Sequence, residues 1–282
     1  MLILVTGAAG KTGAHVIAAL AGSGMASRAL VRSEQAGQHA LAAGASEIIV
    51  GDMTAAGIWT EALAGVSHIY LICPNMHPAE LTIARHLLAA AGPKLHIVYH
   101  SVLHPQTEAM PHHWQKLRVE ELLFASGNPF TILQPTAYMQ NLLAGRERLL
   151  VDGILANPYP VSAPISLIDL PDLAEVAARV LTEPGHEGAI YELAGTTALT
   201  QTEVARQLSV VLDRPVQAQE IPLADWRTSA GPNLNPYALD TLSRMFRYYA
   251  RHGLVGNPNV LRFLLGRKPA TLADFARREL AT

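Results

Sequence analysis

The sequence has little of several features that mark specialised classes of protein. Its 282 residues include one cysteine, and only 16% of them are charged. A single cysteine excludes an internal disulfide framework and a cysteine-rich zinc module. The formal net charge of −2 supplies no broad cationic face, so we expect no direct contact with nucleic acid. No apolar run approaches the roughly 20 residues of a membrane span, and residues 1–5 are interpreted as a strand and not a signal peptide, so we expect a soluble, cytoplasmic protein.

The chain does have an alternation of short, strongly apolar runs with longer Ala- and Leu-rich stretches. The predicted strands are 2–5, 28–31, 47–50, 68–72, 95–100, 130–133 and 189–193. The predicted helices are 12–23, 35–43, 59–63, 79–90, 117–126 and 170–181, followed by 200–212 and 237–252 around a short strand at 216–221 and a loop at 229–236. This order predicts an α/β fold, a Rossmann-type doubly wound parallel sheet with a smaller C-terminal lobe.

A glycine-rich turn follows the first predicted strand and opens the first helix. Its sequence is TGAAGKTG over residues 6–13, with a Gly-x-x-Gly-x-x-Gly spacing at Gly7, Gly10 and Gly13. Glycines there permit a tight turn and a close approach of backbone amides to a pyrophosphate. We therefore predict dinucleotide binding by this turn, including Ala9, Lys11 and Thr12.

The end of the second strand indicates which dinucleotide is bound. An NAD site has Asp or Glu there to bind the ribose 2′-hydroxyl, whereas this strand ends in Arg32 and Ser33. Arg32 and Lys11 are suited to a 2′-phosphate, so NADP(H) is the predicted cofactor. Residues 1–195 are then an NADP-binding Rossmann-type domain, with 150–165 able to cross to the smaller lobe, and 196–282 are a smaller, substrate-covering lobe. The other interpretation makes Arg32 a solvated loop residue.

Later strand ends supply further predicted cofactor contacts. Asp52 and Met53 follow the third strand at the expected adenine edge, where Asp52 either accepts from the adenine amine or caps the next helix. Cys73 and Pro74 end the fourth strand near the expected nicotinamide, and a lone Cys there is also an ordinary small core residue.

The histidines at 100, 104, 112 and 113 predict no metal site, because residues four apart in an extended segment are roughly 13 Å from each other.

Several segments together resemble the NmrA-like group of atypical short-chain dehydrogenases/reductases. They are the glycine turn, the sequences VR at 31–32, VGD at 50–52, TILQP at 131–135 and YMQN at 138–141, and the later LPDLA at 170–174, YELAG at 191–195, LGRKP at 265–269 and DFARR at 274–278. The resemblance spans nearly the whole chain and supports Pro135 and Tyr138 as residues near the nicotinamide or the substrate, with a core role as the alternative for Tyr138. The group includes NADPH-dependent quinone reductases, triphenylmethane and azo dye reductases, and co-regulators that bind dinucleotide without known chemistry.

The wider superfamily uses a Tyr-x-x-x-Lys pair and a Ser at the end of the fifth strand. Lys116 and Ser101 match the Lys and the Ser, and the Tyr position holds His112. The i, i+4 spacing puts His112 and Lys116 on one helical face if the helix begins that early. An exposed histidine without a role is the alternative for His112. The resemblance implies that Lys116 binds the nicotinamide ribose, and these three are the candidate catalytic residues.

The missing tyrosine favours one class of acceptor. Reduction of a ketone makes a basic alkoxide that needs an acid, whereas reduction of a quinone makes a phenolate-like anion whose conjugate acid titrates near about 10. We therefore expect an NADPH-dependent reductase of small aromatic or quinonoid acceptors such as quinones and azo or triphenylmethane dyes. A non-catalytic NADP(H) sensor and a sugar-nucleotide epimerase are the alternatives, and the sequence leaves a homodimer open. Trp226, Tyr237, Phe246 and Tyr248 are either walls of a flat pocket or core residues.

Overall fold

The structure is a computed structural model, and it describes residues 1–281. The strands are β1 Leu2–Val5, β2 Ala26–Val31, β3 Glu47–Val50, β4 His68–Leu71, β5 His96–His100, β6 Phe130–Pro135, β7 Ala137–Tyr138, β8 Ile154–Asn157, β9 Leu167–Ile168, β10 Ile190–Leu193 and β11 Gln217–Glu220. The helices are α1 Lys11–Gly22, α2 Glu34–Ala42, α3 Ile58–Ala62, α4 Glu80–Ala90, α5 Pro111–Ser126, α6 Arg146–Asp152, α7 Leu170–Thr182, α8 Gln201–Leu212, α9 Leu223–Ala230, α10 Pro236–His252, α11 Asn259–Leu265 and α12 Leu272–Glu279. Two 3-10 helices cover Met139–Gly145 and Gly231–Asn233.

Seven strands form one sheet in the order β10-β6-β5-β4-β1-β2-β3. The pairings from β3 through β6 are all parallel. The strand order reverses between β1 and β4, and ligands of open α/β sheets bind beyond the carboxyl ends of the strands at such a point. This confirms the predicted fold class and places the glycine turn, which follows β1, at the reversal.

The predicted strands of the sheet are all present with ends shifted by at most two residues, and β10 joins the sheet beside β6. Helix α5 differs most, because it begins at Pro111 and not at residue 117. Its first turns carry polar residues on their buried face, which hid the apolar periodicity, and Pro at the first helical position is favourable. The predicted loop 229–236 was partly wrong, because α9 continues to Ala230 and a 3-10 helix follows.

The described chain divides into two compact units. The first consists of Met1–Gln106, His112–Gln134 and Leu173–Tyr191. Its core includes Leu4, Ile69, Ile97 and Ile132 from adjacent strands, all fully buried. These strands are buried on both faces, which explains their continuous hydrophobicity.

The second unit consists of Thr107–Pro111, Pro135–Asp172 and Glu192–Thr282. Two buried carboxylates hold its C-terminal segment: Asp169 accepts two hydrogen bonds of 2.9 Å from Arg278, and Asp172 accepts one of 2.8 Å from Arg267. The backbone N–H of Ala270 also donates to Asp172 at 2.6 Å. These charge-assisted bonds fix the segment around α12, whose N-terminus has a capping box.

Candidate functional site

The turn between β1 and α1 is shaped by contacts that only glycine allows. Gly7 has φ +58°, and a Cβ there would lie 2.7 Å from the Ile72 side chain. A Cβ on Gly13 would lie 2.4 Å from the Gly7 carbonyl oxygen. The Thr6 hydroxyl donates to the Ile72 carbonyl at 2.9 Å and accepts from the Ile72 N–H at 2.8 Å, which fixes β1 against the chain after β4. The turn is therefore rigid and narrow.

The N-terminus of α1 is suited to an anion. Gly10 is its N-cap, no side chain caps it, and its first turn has no acidic residue. The first N–H groups of a helix have no intrahelical partner, and the helix dipole favours negative charge beside them. The turn thus fits the pyrophosphate of a dinucleotide, with Ala9, Lys11 and Thr12 beside it.

The chain after β2 presents a cation at the carboxyl edge of the sheet. Arg32 is exposed, and within residues 1–281 its guanidinium makes no hydrogen bond or ion pair. Ser33, predicted as a cofactor contact, is the N-cap of α2 and accepts from the Ala36 N–H at 3.2 Å. Arg32 therefore has the exposure that a 2′-phosphate contact needs.

Asp52 and Met53 follow β3. The Asp52 carboxylate accepts from the Thr54 N–H at 2.8 Å, and this bond holds the pKa of Asp52 below its usual value. It does not cap α3, which begins at Ile58. Met53 is buried, and its carbonyl accepts from the indole N–H of Trp59 at 3.1 Å. Asp52 remains exposed at this edge.

Beyond β4, Cys73 is buried and Pro74 is half-buried. Burial, and then the charge of Glu80, raise the pKa of the Cys73 thiol well above its usual value. The thiol is therefore uncharged at neutral pH, which makes it a packing residue and not a nucleophile.

A buried polar cluster lies among α4, α5 and β5. Lys116 donates to Glu80 Oε1 at 2.6 Å and to the His100 carbonyl at 2.9 Å. The Tyr99 hydroxyl donates to the same Glu80 oxygen at 2.8 Å, and burial with the Glu80 charge raises the Tyr99 pKa well above its usual value. The Tyr70 hydroxyl lies 2.5 Å from His100 Nδ1. Lys116 is thus held in a fixed position by the pair with Glu80.

His112 lies one turn before Lys116 on α5, so both occupy one face as the spacing predicted. It is buried, so the alternative of an exposed histidine was wrong. Burial, and then the Lys116 charge, lower the pKa of His112 to about 3. His112 is therefore neutral at ordinary pH, and its Nδ1 lies 3.9 Å from Glu80 Oε2.

Ser101 follows β5 and is also buried. Its hydroxyl donates to Glu120 Oε1, and the Gln134 amide donates to both Glu120 oxygens at 2.9 and 3.0 Å. Burial raises the pKa of Glu120 against these stabilising bonds. The Ser101 proton is therefore already used within the chain, and the structure does not place Ser101 in the cluster of Lys116 and Glu80.

The remaining predicted residues belong to the second unit. Pro135 ends β6 and is buried, and Tyr138 is half-buried at the start of a 3-10 helix. The aromatics there form edge contacts, with ring centroids 4.8 Å apart for Trp226 and Phe246 and 6.1 Å apart for Tyr159 and Tyr249. Trp226 and Phe246 are half-buried.

The sequence interpretation missed Glu80, although one signal was available. Glu80 precedes Ile83, Ala84 and Leu87 at positions i+3, i+4 and i+7, which are the buried residues of α4. A carboxylate in register with an apolar face is expected to be buried, and a buried carboxylate needs a cation or hydrogen-bond donors as partners. Residues 1–281 contain no group of three or more His, Cys, Asp or Glu that could hold a metal, and no helix among them is long and apolar enough to cross a membrane.

Comparison with known proteins places the whole chain in context. A model of the NmrA-like family matches residues 1–275. The chain is 32% identical over 279 residues to quinone oxidoreductase 2 of Escherichia coli, covering 97% of this chain and 96% of that protein. It is 29% identical over 290 residues to NAD(P)H azoreductase of Xenophilus azovorans, covering 99% and 98%. The crystal structure of the Escherichia coli NADPH-dependent quinone oxidoreductase with NADPH aligns over 98% of this chain and 99% of that chain, with TM-score 0.85 and 29% identity.

Proposed function

Because the chain belongs to the NmrA-like family, we propose that it is an NADPH-dependent reductase of flat conjugated acceptors, either quinones or azo and triphenylmethane dyes. Relatives named as a quinone oxidoreductase and an azoreductase support an oxidoreductase that uses a nicotinamide cofactor. The residues around Lys116 favour this class of acceptor.

The glycine turn supports the assignment of NADP(H) as the cofactor. A pyrophosphate fits the backbone at Gly7 and Gly13, where no Cβ could be accommodated. It also fits the N-terminus of α1, which no side chain caps. Arg32 is exposed and makes no salt bridge within residues 1–281, although its charge acts on the Asp52 carboxylate; its exposure suits a 2′-phosphate. A charge-assisted bond there is worth about 1.5–3 kcal/mol and favours NADPH over NADH. NADPH, when bound, supplies the hydride.

The observation that carries the acceptor class is the state of His112. A buried imidazole with a pKa of about 3 holds no second proton to give at neutral pH. Tyr99 has its pKa raised, and its hydroxyl already donates to Glu80. An acceptor whose reduced anion is weakly basic needs no proton from such groups, because the anion takes its proton from water after leaving.

Orientation is then the contribution of these residues. Lys116 uses two of its three donors on Glu80 and His100, which leaves one for the ribose of the cofactor. His112 lies on the same face of α5 as Lys116 and supplies no proton to the acceptor. Fixing the reacting groups and excluding competing water accelerates hydride transfer without an acid.

The test measures NADPH oxidation by the purified protein against a panel of quinones, azo dyes and triphenylmethane dyes, beside direct NADPH binding. We expect turnover with at least one conjugated acceptor and none with simple ketones. NADPH binding without turnover across the whole panel would favour the alternative, a non-catalytic NADP(H) sensor. Turnover of simple ketones would contradict the acceptor class.

A further inference from the structure

We propose that Glu80 is the positioning residue of this site, and that its carboxylate holds Lys116 through one oxygen and the Nδ1 proton of His112 through the other. The role of Lys116 toward the cofactor rests on the proposed function, whereas the state of His112 does not. The proposal thus assigns one orienting group to both predicted residues of α5.

The carboxylate is fully buried at the first residue of α4. Its Oε1 accepts from Lys116 at 2.6 Å and from the Tyr99 hydroxyl at 2.8 Å. A buried carboxylate that keeps its charge is stabilised by a cation in good hydrogen-bond geometry, so the positions of Glu80 and Lys116 depend on each other. Removal of the Glu80 charge is therefore expected to release the Lys116 ammonium from its present direction.

The second oxygen points to His112. Glu80 Oε2 is buried and has no hydrogen-bond partner within residues 1–281, and His112 Nδ1 lies 3.9 Å away. The Cys73 thiol also faces this carboxylate. A lone pair on Nδ1 would repel the carboxylate, whereas a proton on Nδ1 is attracted to it. The neutral imidazole therefore carries its proton on Nδ1, which leaves Nε2 as an acceptor.

The buried carboxylate of α5, Glu120, does not have this capacity. Glu120 accepts a hydrogen bond from the Ser101 hydroxyl, and both of its carboxylate oxygens accept from the Gln134 amide. The donors to this carboxylate are therefore neutral. Neither Lys116 nor His112 is hydrogen-bonded to it within residues 1–281. Glu80 is therefore the carboxylate that orients the two groups.

The first test needs no cofactor, and its measurement on the parent protein needs no Glu80 variant. Protein labelled with ¹⁵N-histidine has twelve imidazoles, and the signal lost in His112→Phe identifies His112. We expect the parent His112 to be the Nδ1–H tautomer at neutral pH, with the Nε2–H tautomer rising in Glu80→Gln. An Nε2–H tautomer in the parent, or a tautomer unaffected by folded Glu80→Gln, overturns the proposal.

The second test is a cycle of NADPH dissociation constants for the parent, Glu80→Gln, Lys116→Met and the double variant. We expect about 10-fold weaker binding in Glu80→Gln and no further loss when that change is added to Lys116→Met, because Glu80 acts through Lys116. Unchanged binding in Glu80→Gln, or losses that multiply in the double variant, contradicts the proposal. Asp172→Asn is the matched control, since it removes another buried carboxylate charge, one paired with Arg267, and is expected to leave NADPH binding unchanged.

The two readouts separate this proposal from the proposed function. A parent that binds NADPH but reduces no acceptor ends the reductase proposal and leaves the binding cycle valid. A parent that binds no NADPH ends both the proposed function and the Lys116 part of this proposal, and the tautomer then decides the His112 part alone.

Discussion

The turn after β1 and the cluster around Glu80 both lie in the first unit, yet they are built in opposite ways. The turn consists of backbone from eight consecutive residues, of which Gly10 is exposed and Gly13 is buried, and Arg32 after β2 is exposed. The cluster consists of side chains from α4, β5 and α5 that are buried from water. A Cβ added to a glycine of the turn is expected to distort the backbone there. Removal of one charge from the buried cluster is expected to leave its partner unpaired and to destabilise the fold. The predictions below test this difference.

The largest effect is expected from Lys116→Ala. It leaves the Glu80 carboxylate buried without its cation, and removal of one partner of a buried ion pair destabilises by about 3–5 kcal/mol. Denaturant unfolding of parent and variant measures the loss. Arg118→Ala on the same helix is the control, because its pair with Glu121 is exposed. Equal stabilities of Lys116→Ala and Arg118→Ala would contradict the buried ion pair.

Gly13→Val tests the turn. Its Cβ would enter the space of the Gly7 carbonyl, 2.4 Å away, so the turn must open and lose its fit to a pyrophosphate. We expect NADPH binding to weaken by about 3 kcal/mol, roughly 150-fold. Gly22→Ala at the other end of α1 is the control, because a Cβ there meets nothing within 4 Å. Calorimetric titration with NADPH measures both, and a tight-binding Gly13→Val would refute the backbone cradle.

Arg32→Asp tests the exposed cation that follows β2. The change removes the proposed 2′-phosphate contact and adds repulsion, so the preference for NADPH over NADH should fall by about 10- to 150-fold or reverse. The ratio of the two dissociation constants is the measurement. Glu34→Gln, two residues later and also exposed, is expected to leave the ratio unchanged. A parent with equal affinities for the two cofactors would make Arg32 a solvated loop residue.

Acid should weaken the folded chain through its buried imidazoles. Burial lowers the pKa of both His112 and His113 to about 3, below the value near 6.5 of an unfolded chain. The unfolded state then binds more protons, so stability is complete above about pH 6.5 and falls as the pH drops toward 3, by about 2 kcal/mol per imidazole at pH 5. The difference in unfolding free energy between pH 7 and pH 5 should shrink by about that amount in His113→Phe. An unchanged difference would mean that His113 is not buried in its neutral form.

The smallest effect is expected from His112→Phe in catalysis. If the acceptor needs no proton from the protein, the variant loses only the polar contact of the His112 imidazole beside Glu80, about 0.5–1.5 kcal/mol or roughly 2- to 13-fold in turnover of a quinone. Both parent and variant should show nearly flat pH–rate profiles between about pH 5 and 8, because the His112 pKa lies near 3. A loss of about 100- to 10,000-fold in turnover of the variant, together with a pH-dependent limb in the parent profile that the variant lacks, would instead identify a general acid.

The same difference explains what could be predicted from the sequence. The glycine turn, the position of Arg32 after β2 and the alternation of strands and helices follow from local spacing, because residues adjacent in sequence act together there. Helix α5 was predicted six residues short, because His112 and Lys116 are polar residues on a buried face. The partner that makes this burial possible, Glu80, lies 36 residues earlier on another helix. Only packing brings the two together, so spacing along α5 indicated Lys116 and not its ion pair.

The central claim is that this chain transfers hydride and does not only bind the cofactor. The most direct measurement is a single turnover, in which protein loaded with one equivalent of NADPH is mixed rapidly with excess benzoquinone while NADPH absorbance and quinol are followed. We predict loss of the bound NADPH with formation of one quinol per NADPH, faster than in free solution, and slowed in Lys116→Ala. NADPH that stays bound and unoxidised in the presence of quinone would contradict the account.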